Sequence, residues 1–527
     1  MIDQDAAIGL RVHEVVAHWA GLAPDREALV GGGHRWSHAE LSRRIDALAS
    51  ALLAAGVEHG DRVACLGNPR PETLLSFLAA ASVGAIWVGL NPKYTSSELL
   101  ALLERTNPKV AFGMLEANDT GQTVFLAGCE DIAGTITVTR EPATSGRSTS
   151  LASFCAAPVD RPALDRARDR VAASDAAAMI FTSGTTGVPK GALVPHGGLA
   201  HCGRVQADHW CGDAPRVLCD LPINHIGCLG DIFFSTLVAG GTVVCMERFD
   251  AEQALAAVER EKLSHLMWVP SQYIAAVGSP AWETADLSSL QRLIWGGATA
   301  PMSLLTTLSG LGVPLSTSYG LTESTGSVVF TDDEDPLDRL GWSVGRPDPR
   351  YEVTLRRTDG GEAQDGEEGE VLIRGAFITR GYWQDADATS AAIDDHGWLS
   401  TGDIGSWVDG RLRLIGRAKE TFKSGGYNVY PREVELALEE HPHVELAALV
   451  SVPDDRWGRV GHAFVQANGA VVPEELRAFA AERLANFKVP KSIRVQDELP
   501  RLPVGKIDKK ALSRLAEDSL LDRTASQ

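Results

Sequence analysis

Ala176-Ala177-Ala178-Met179-Ile180-Phe181-Thr182-Ser183-Gly184-Thr185-Thr186-Gly187-Val188-Pro189-Lys190 is the stretch whose reading decides the rest of the chain. Its first six residues form an unbroken apolar run of the length of a buried strand. The run opens into hydroxyls and glycines and closes on a lysine. Glycines let the backbone approach an anion, and their N–H groups converge on it. Hydroxyls add rotatable donors, and lysine adds a mobile positive charge. The stretch therefore predicts a phosphate cradle at the mouth of a strand. It departs from the common nucleotide loop, which ends in Gly-Lys-Ser/Thr. Here Pro189 precedes Lys190 and Gly191 follows it, so a different ATP chemistry is implied.

Outward from this loop, helical and extended patterns alternate. Ser37 and Glu40 read as a capping box ahead of Leu41, Ile45, Leu48 and Leu52, and Gly56 stops that helix. Arg62 to Leu66 reads as a strand. Ala254 to Val258 is helical before the extended Leu266 to Val269, and Leu304 to Leu308 before Val313 to Leu315. This alternation predicts an α/β architecture with parallel sheets. Beyond about residue 330 the texture changes. Thr331 to Asp335 is acidic and breaks structure. Glu352 to Leu355 and Glu370 to Arg374 then read as strands around a Gly/Glu-rich turn, a smaller β-rich unit. Helix and strand resume after Gly416-Arg417-Ala418-Lys419. A boundary near Lys419 gives a large N-terminal domain, 1–418, and a small α+β domain, 419–527.

Composition narrows the function. At 527 residues the chain can bury more than one core. A formal net charge of −20 argues against nucleic acid as a partner and means that an anionic substrate needs a local positive site. Eight scattered cysteines, none in a Cys-x-x-Cys pair, read as reduced thiols of a cytoplasmic protein. The N-terminus carries no signal-peptide pattern. Leu74 to Leu90 runs without a charge, but Gly84 splits it, so a buried helix and a buried strand are expected in place of a membrane span.

Three further segments bear on chemistry. In Tyr319-Gly320-Leu321-Thr322-Glu323, a carboxylate beside a threonine suits Mg²⁺ on ATP phosphates, and Tyr319 can stack on a flat base. In Ser400-Thr401-Gly402-Asp403, a carboxylate next to glycine can accept both ribose hydroxyls. Between Gly416-Arg417 and Lys423-Ser424-Gly425-Gly426-Tyr427, followed by Asn428 and Pro431-Arg432-Glu433, paired glycines permit close approach to a thin ligand. Taken singly, these read as a capped helix, a turn and a basic hairpin. In this order, and joined by Gly369-Glu370, Arg374-Gly375, Gly381-Tyr382-Trp383 and Pro500-Arg501 with Gly505-Lys506-Ile507, they closely resemble the adenylate-forming superfamily of acyl-CoA synthetases, peptide-synthetase adenylation domains and luciferases.

The resemblance covers nearly the whole chain and implies roles. Thr182, Ser183, Gly184, Thr185, Thr186, Gly187 and Lys190 would hold the β- and γ-phosphates. Thr322 would touch the α-phosphate, and Glu323 would ligate Mg²⁺. Asp403 and Arg417 would hold the ribose, while Gly297, Ala298, Ser318, Tyr319 and Gly320 would frame the adenine. Lys506 would bridge carboxylate and α-phosphate as charge develops. Lys419 would be the hinge of a mobile C-terminal domain, whose Lys423, Ser424, Gly425 and Gly426 would wall the pantetheine channel. Glu420 stands where the family often has Asp, and Arg459 where it often has Glu. Arg456 and Arg459 stay open between CoA contacts and ordinary surface charge.

The resemblance places the acyl pocket at Pro222-Ile223-Asn224-His225-Ile226-Gly227-Cys228-Leu229-Gly230-Asp231, with His225 lining or gating it. Small residues at Gly227, Cys228 and Gly230 imply room for a medium- or long-chain, aryl or polycyclic acid. Trp295, Gly296 and Gly297 are expected as the opposite wall. Asp231 is expected to cap a helix Ile232 to Val238, the alternative being contact with a substrate hydroxyl or amine. The leading expectation is an ATP-dependent acid–CoA ligase using ATP, Mg²⁺ and coenzyme A. The alternative is an adenylation enzyme that loads a separate carrier protein or an amine. The short run after Lys506 and the lack of the amino-acid-selecting Asp pattern favour CoA. A homodimer is compatible with the sequence.

Overall fold

The structure, a computed structural model, describes residues 2, 7–132, 134–141, 148–182, 189–454, 456–501 and 507–525. Strands separated by helices pair in parallel, because a crossover helix returns the chain to the same end of the sheet. Among the described residues this produces two large sheets. One has nine strands, ordered Arg346–Pro347, Gly326–Phe330, Leu315–Leu321, Arg292–Trp295, His265–Trp268, Arg216–Cys219, Thr242–Cys245, Glu27–Gly31 and His34–Ser37. Its six middle strands are parallel and its edges antiparallel. The other has seven, ordered Thr149–Ser150, Ile136–Thr139, Val110–Gly113, Arg62–Leu66, Ile86–Leu90, Ala176–Thr182 and Lys190–Pro195. It is parallel except for the closing hairpin.

A buried helical layer lies between the two sheets. Every residue of Pro71–Ser82 is buried, and His196–Gln206 is buried along nearly its whole length. Phe77 sits 5.6 Å from the Trp87 ring of the seven-stranded sheet and 6.3 Å from Phe233, in the helix after the strand Arg216–Cys219. Trp87 Nε1 donates to Ser76 Oγ at 2.9 Å, which satisfies the indole inside the core. The uncharged run Leu74 to Leu90 is thus a buried helix and a buried strand. No helix among the described residues is long and apolar enough to cross a membrane.

The β-rich unit is a four-stranded antiparallel sheet, Glu352–Arg356, Glu368–Arg374, Trp398–Val408 and Arg411–Arg417. Phe422–Ser424 then opens another sheet, with Tyr427–Val429, Gly458–Ala467, Val444–Asp454 and Ser492–Gln496. Along Val444–Asp454 the side chains alternate between two separate cores, Ala447 and Leu449 in one, Ala448 and Val450 in the other. That is the period of two expected of a strand covered on both faces.

Two local expectations need correction. Ser37 Oγ accepts the Glu40 N–H at 3.2 Å, but the Glu40 carboxylate turns to Arg43 and Arg44, so the box is half made. The acidic run Thr331 to Asp335 does leave regular structure, yet it is tied down: Asp335 pairs with Arg411 at 2.6 Å and Asp332 with Arg346 at 2.8 Å.

Candidate active site

The apolar run Ala176–Thr182 is a buried strand, and it turns back through Lys190–Pro195 with Thr182 opposite Lys190. Ser183, Gly184, Thr185, Thr186 and Gly187 lie outside the described residues, as does Lys506. The ends of the hairpin reach the other large sheet through Glu323. The strand Leu315–Leu321 runs into a single helical turn, Thr322–Ser324, which carries this carboxylate to a largely buried position. Glu323 Oε1 accepts the Tyr382 hydroxyl at 2.8 Å and lies 3.5 Å from Thr182 Oγ1. The Tyr382 ring lies 5.1 Å from the Lys190 ammonium. Burial and the adjacent Glu323 both push the Tyr382 phenol above its ordinary pKa, so it stays a donor. Tyr382 is a site residue that sequence reasoning left inside a family motif without a role.

Glu323 Oε2 has no partner among the described residues, while Oε1 is held in place. A fixed carboxylate with a free hard oxygen beside a threonine and a lysine fits Mg²⁺ carried on ATP phosphates, which the ion binds through one or two carboxylates plus phosphate oxygens.

A second tyrosine ties in the β-rich sheet. The Tyr319 hydroxyl donates to Asp403 Oδ2 at 2.7 Å, and Arg417 Nε contacts Asp403 Oδ1 at 2.8 Å across the paired strands. Tyr319 is 7 % exposed, so its ring is largely covered and its observed work is to orient Asp403. Gly402 has φ +72° and donates its N–H to Glu370 Oε1 at 3.2 Å, fixing the turn before Asp403. Gly320 is required for contact: a Cβ there would stand 2.1 Å from the Gly326 carbonyl oxygen. The structure therefore brings Thr182, Lys190, Glu323, Tyr319, Asp403 and Arg417 into one connected region, drawn from three sheets.

Gly296, Gly297 and Ala298 follow the strand Arg292–Trp295 and are not buried. A Cβ on either glycine would meet nothing nearer than 3.8 Å, so space opens in front of them. Ser318 Oγ lies 2.9 Å from Ser327 Oγ at the same edge. Trp295, expected on the wall of an acyl pocket, is corrected: it is 1 % exposed and packs with Trp268 and Tyr273. Its strand neighbour Ile294 belongs to the core that holds Cys228. The pleat sends adjacent side chains to opposite faces, so Trp295 points away from the His225 segment.

That segment also reads differently in three dimensions. His225 is half-buried at the start of a helix that continues as the π-helical segment Gly227–Phe234. Cys228 is fully buried, with its Sγ 3.5 Å from Cys219 Sγ. Gly230 lets the helix approach Thr325, whose carbonyl oxygen would lie 3.3 Å from a Cβ. The small size of these two residues therefore serves packing and not pocket width. Gly227 is different, for a Cβ there would meet only Leu221 Cδ1, at 3.4 Å. Asp231 does not cap a helix. It lies inside the π-helical turn, and its Oδ1 accepts from Gln206 Nε2 at 2.5 Å and from the Ser327 N–H at 3.2 Å.

Past Arg417, Ala418 to Glu420 form an exposed turn that includes Lys419. Lys423 and Ser424 lie on the strand Phe422–Ser424. Gly425 and Gly426 have φ of +58° and +90°, conformations that favour glycine. The Gly425 N–H donates to the Trp457 carbonyl at 2.9 Å, and a Cβ on Gly425 would strike the Trp457 ring at 2.8 Å. Arg456 lies over that ring at 4.9 Å, whereas Arg459 is committed to Ser451 of its own hairpin at 2.7 and 2.8 Å. Tyr430 donates to Glu368 at 2.7 Å, joining this unit to the β-rich sheet. Arg501 and Ile507, on either side of Lys506, are bridged antiparallel.

The chain as a whole is similar to known proteins. Residues 16–383 match the family described as AMP-binding enzyme, and residues 433–506 match the AMP-binding enzyme C-terminal domain. A feruloyl-CoA synthase of Amycolatopsis sp is 35 % identical, over 94 % of this chain and 97 % of its own. An indoleacetate–CoA ligase of Aromatoleum aromaticum is 34 % identical, over 98 % and 100 %. Among solved structures, an amide bond synthetase from Marinactinospora thermotolerans superposes with a TM-score of 0.84 at 29 % identity, covering 96 % of this chain and 99 % of that one.

Proposed function

The chain belongs to the AMP-binding enzyme family, and from that premise we propose that it is an ATP-dependent acid–CoA ligase for a bulky aryl or polycyclic carboxylic acid. In the first step a carboxylate oxygen attacks the α-phosphorus of ATP, the bond to the β-phosphate oxygen breaks, and pyrophosphate leaves with that electron pair. In the second, the CoA thiol loses its proton and attacks the acyl carbon, and AMP departs. The observation that carries the reading is the pair of hydrogen bonds, Tyr382 to Glu323 and Tyr319 to Asp403, that gathers a phosphate-side and a ribose-side carboxylate from separate sheets.

Each residue has a task in this scheme. Thr182 to Lys190 hold the departing β- and γ-phosphates, Thr322 meets the α-phosphate, and Asp403 with Arg417 grips the ribose. Gly296, Gly297, Ala298 and Ser318 line the open edge that receives the adenine. Mg²⁺, held by Glu323, supplies charge neutralisation on the phosphates. Lys506 places a point charge between the two reacting anions, where electrostatic stabilisation counts most. Residues 1–418 and 419–527 act as two domains about Lys419, so that Lys506 serves the first step and Lys423, Ser424, Gly425 and Gly426 face the site for the second.

The likeness to an amide bond synthetase keeps a second reading in play, with an amine in place of the thiol. Supplying ATP, an aryl acid and either CoA or a primary amine, with products followed by mass spectrometry, separates the two. Acyl-CoA as the main product supports the ligase; amide formed in preference to thioester overturns it.

A further inference from the structure

Arg105 stands in the last turn of the helix Ser96–Thr106. A cation there commonly serves the carbonyls and the dipole of its own helix. Both guanidinium bonds of Arg105 leave the helix instead. Nη1 donates to the carbonyl oxygen of Pro189, 84 residues away, and Nη2 reaches that of Trp383, 278 residues away, at 3.5 Å. Among the described residues no carboxylate pairs with it. Its two acceptors belong to the two segments that carry the phosphate-side groups. Pro189 leads directly into Lys190, whose strand Lys190–Pro195 pairs back to Thr182. Trp383 follows Tyr382, the donor to Glu323. These segments run side by side, with the Leu193 N–H on Gly381 O at 2.9 Å and the Trp383 N–H on Gly191 O at 2.8 Å. The second of these is the last bond of that ladder towards Pro189 among the described residues. Arg105 continues the join from there, its planar fork spanning one carbonyl of each segment. Its helix is a firm base, since Leu99, Leu102 and Leu103 share a buried core with Met179 and Phe181 of the strand Ala176–Thr182.

Building on the acid–CoA ligase reading, we propose that Arg105 is a positioning residue for the departing pyrophosphate: it staples Pro189 to the Tyr382 segment, so that Lys190 and the Tyr382–Glu323 pair meet the β- and γ-phosphates in one fixed arrangement. Without the staple both carbonyls turn to water, and the Lys190 ammonium, 5.1 Å from the Tyr382 ring, loses its registration with Glu323. ATP would then have to order the two segments itself, at a cost in affinity. The guanidinium also adds positive charge on the phosphate side of a chain whose net charge is −20, where an anionic ligand needs it. Arg105 acts through Pro189 and Trp383 and touches no substrate. Its influence is therefore confined to ligands with phosphates beyond the α-position. ATP feels it, whereas AMP and the acyl-adenylate do not.

The test compares ATP with AMP. Each is titrated calorimetrically into the full chain with Mg²⁺ and without acid or CoA, so that no turnover intervenes. Arg105→Gln keeps a polar side chain but loses the charge and the reach. It weakens ATP about tenfold or more, the scale of hydrogen bonds made by a charged group, and leaves AMP within about twofold. Arg105→Lys keeps the charge and one donor, so ATP weakens only about threefold. The lysine variant also guards against loss of fold. General damage to the hairpin would weaken AMP as much as ATP. Equal weakening of the two nucleotides, ATP binding unchanged in Arg105→Gln, or no gain from lysine over glutamine overturns the proposal. Pyrophosphate release from ATP and an aryl acid, followed alongside in the unaltered protein, reports on the ligase reading by itself. Selective loss of ATP binding without any release sinks that reading alone. Release together with ATP binding unchanged in Arg105→Gln sinks this one alone.

Discussion

At the scale of single residues, the contact most open to test is Tyr382 on Glu323. Its hydroxyl is the strongest fixed donor to the carboxylate assigned to the phosphates, at 2.8 Å. Tyr382→Phe removes that donor and keeps the ring beside Lys190. The expected result is a roughly tenfold fall in kcat/KM for ATP with little change in thermal midpoint, the usual worth of a charge-assisted hydrogen bond. Unaltered ATP kinetics would remove Tyr382 from the site. Nothing local in the sequence announces this contact, since 59 residues separate the pair, and Tyr319 and Asp403 are 84 apart. Glu323 after Thr322 and Asp403 after Gly402 were legible only as members of an ordered set of motifs, since each segment taken singly reads as a capped helix or a turn. Trp295 shows the limit, because a period of two separates it from Ile294 without saying which face meets the pocket. Lys506 carries a prediction of its own. Lys506→Ala should abolish acyl-adenylate formation while sparing thioester formation from supplied acyl-adenylate. Equal loss of both half-reactions contradicts its assignment to the first step.

At the scale of elements, the alternation of helix and buried strand was readable because each apolar run has the length and period of its element. The π-helical segment Gly227–Phe234 was not, for its extra residue per turn leaves no compositional trace. That is why Asp231, read as a cap on an ordinary helix, proved to be an interior residue tied to Gln206 and Ser327. The hairpin Leu315–Leu321 with Gly326–Phe330 depends on Gly320, whose Cβ would stand 2.1 Å from a backbone oxygen. Backbone cannot yield as a flexible side chain can. Gly320→Ala should therefore destabilise the fold by roughly 3 kcal/mol or more in urea denaturation, and a loss under about 1 kcal/mol would mean that the hairpin tolerates the clash. The turn Ala418 to Glu420 bears the other element-scale expectation. Lys419→Pro restricts φ there and should slow thioester formation more than adenylation; an unchanged thioester rate removes Lys419 as the hinge.

At the scale of the whole molecule, burial sets the pH range of stability. His13, His38 and His265 are pushed down to about 4 and His196 to about 3, in each case chiefly by burial. A base whose folded pKa lies below its unfolded value, near 6.5, favours folding in full above that pH. The contribution is lost as the unfolded state takes up protons below it. The urea midpoint, measured in about 0.5 M salt to screen repulsion within a chain of net charge −20, should fall as pH drops from about 6.5 towards 4.5. Asp220 and Asp231, raised to about 7 by burial, work in the opposite direction, so a flat midpoint in a chain with both replaced by Asn would contradict neutral, buried imidazoles. The same scale holds the central claim, that separate sheets assemble one site in which a carboxylate attacks the α-phosphorus of ATP. Heavy oxygen in the carboxylate of an aryl acid tests it most directly. Mass spectrometry after turnover with ATP and CoA should find one labelled oxygen transferred to AMP and none to pyrophosphate. Label in pyrophosphate or inorganic phosphate, or unlabelled AMP alongside thioester, would contradict it.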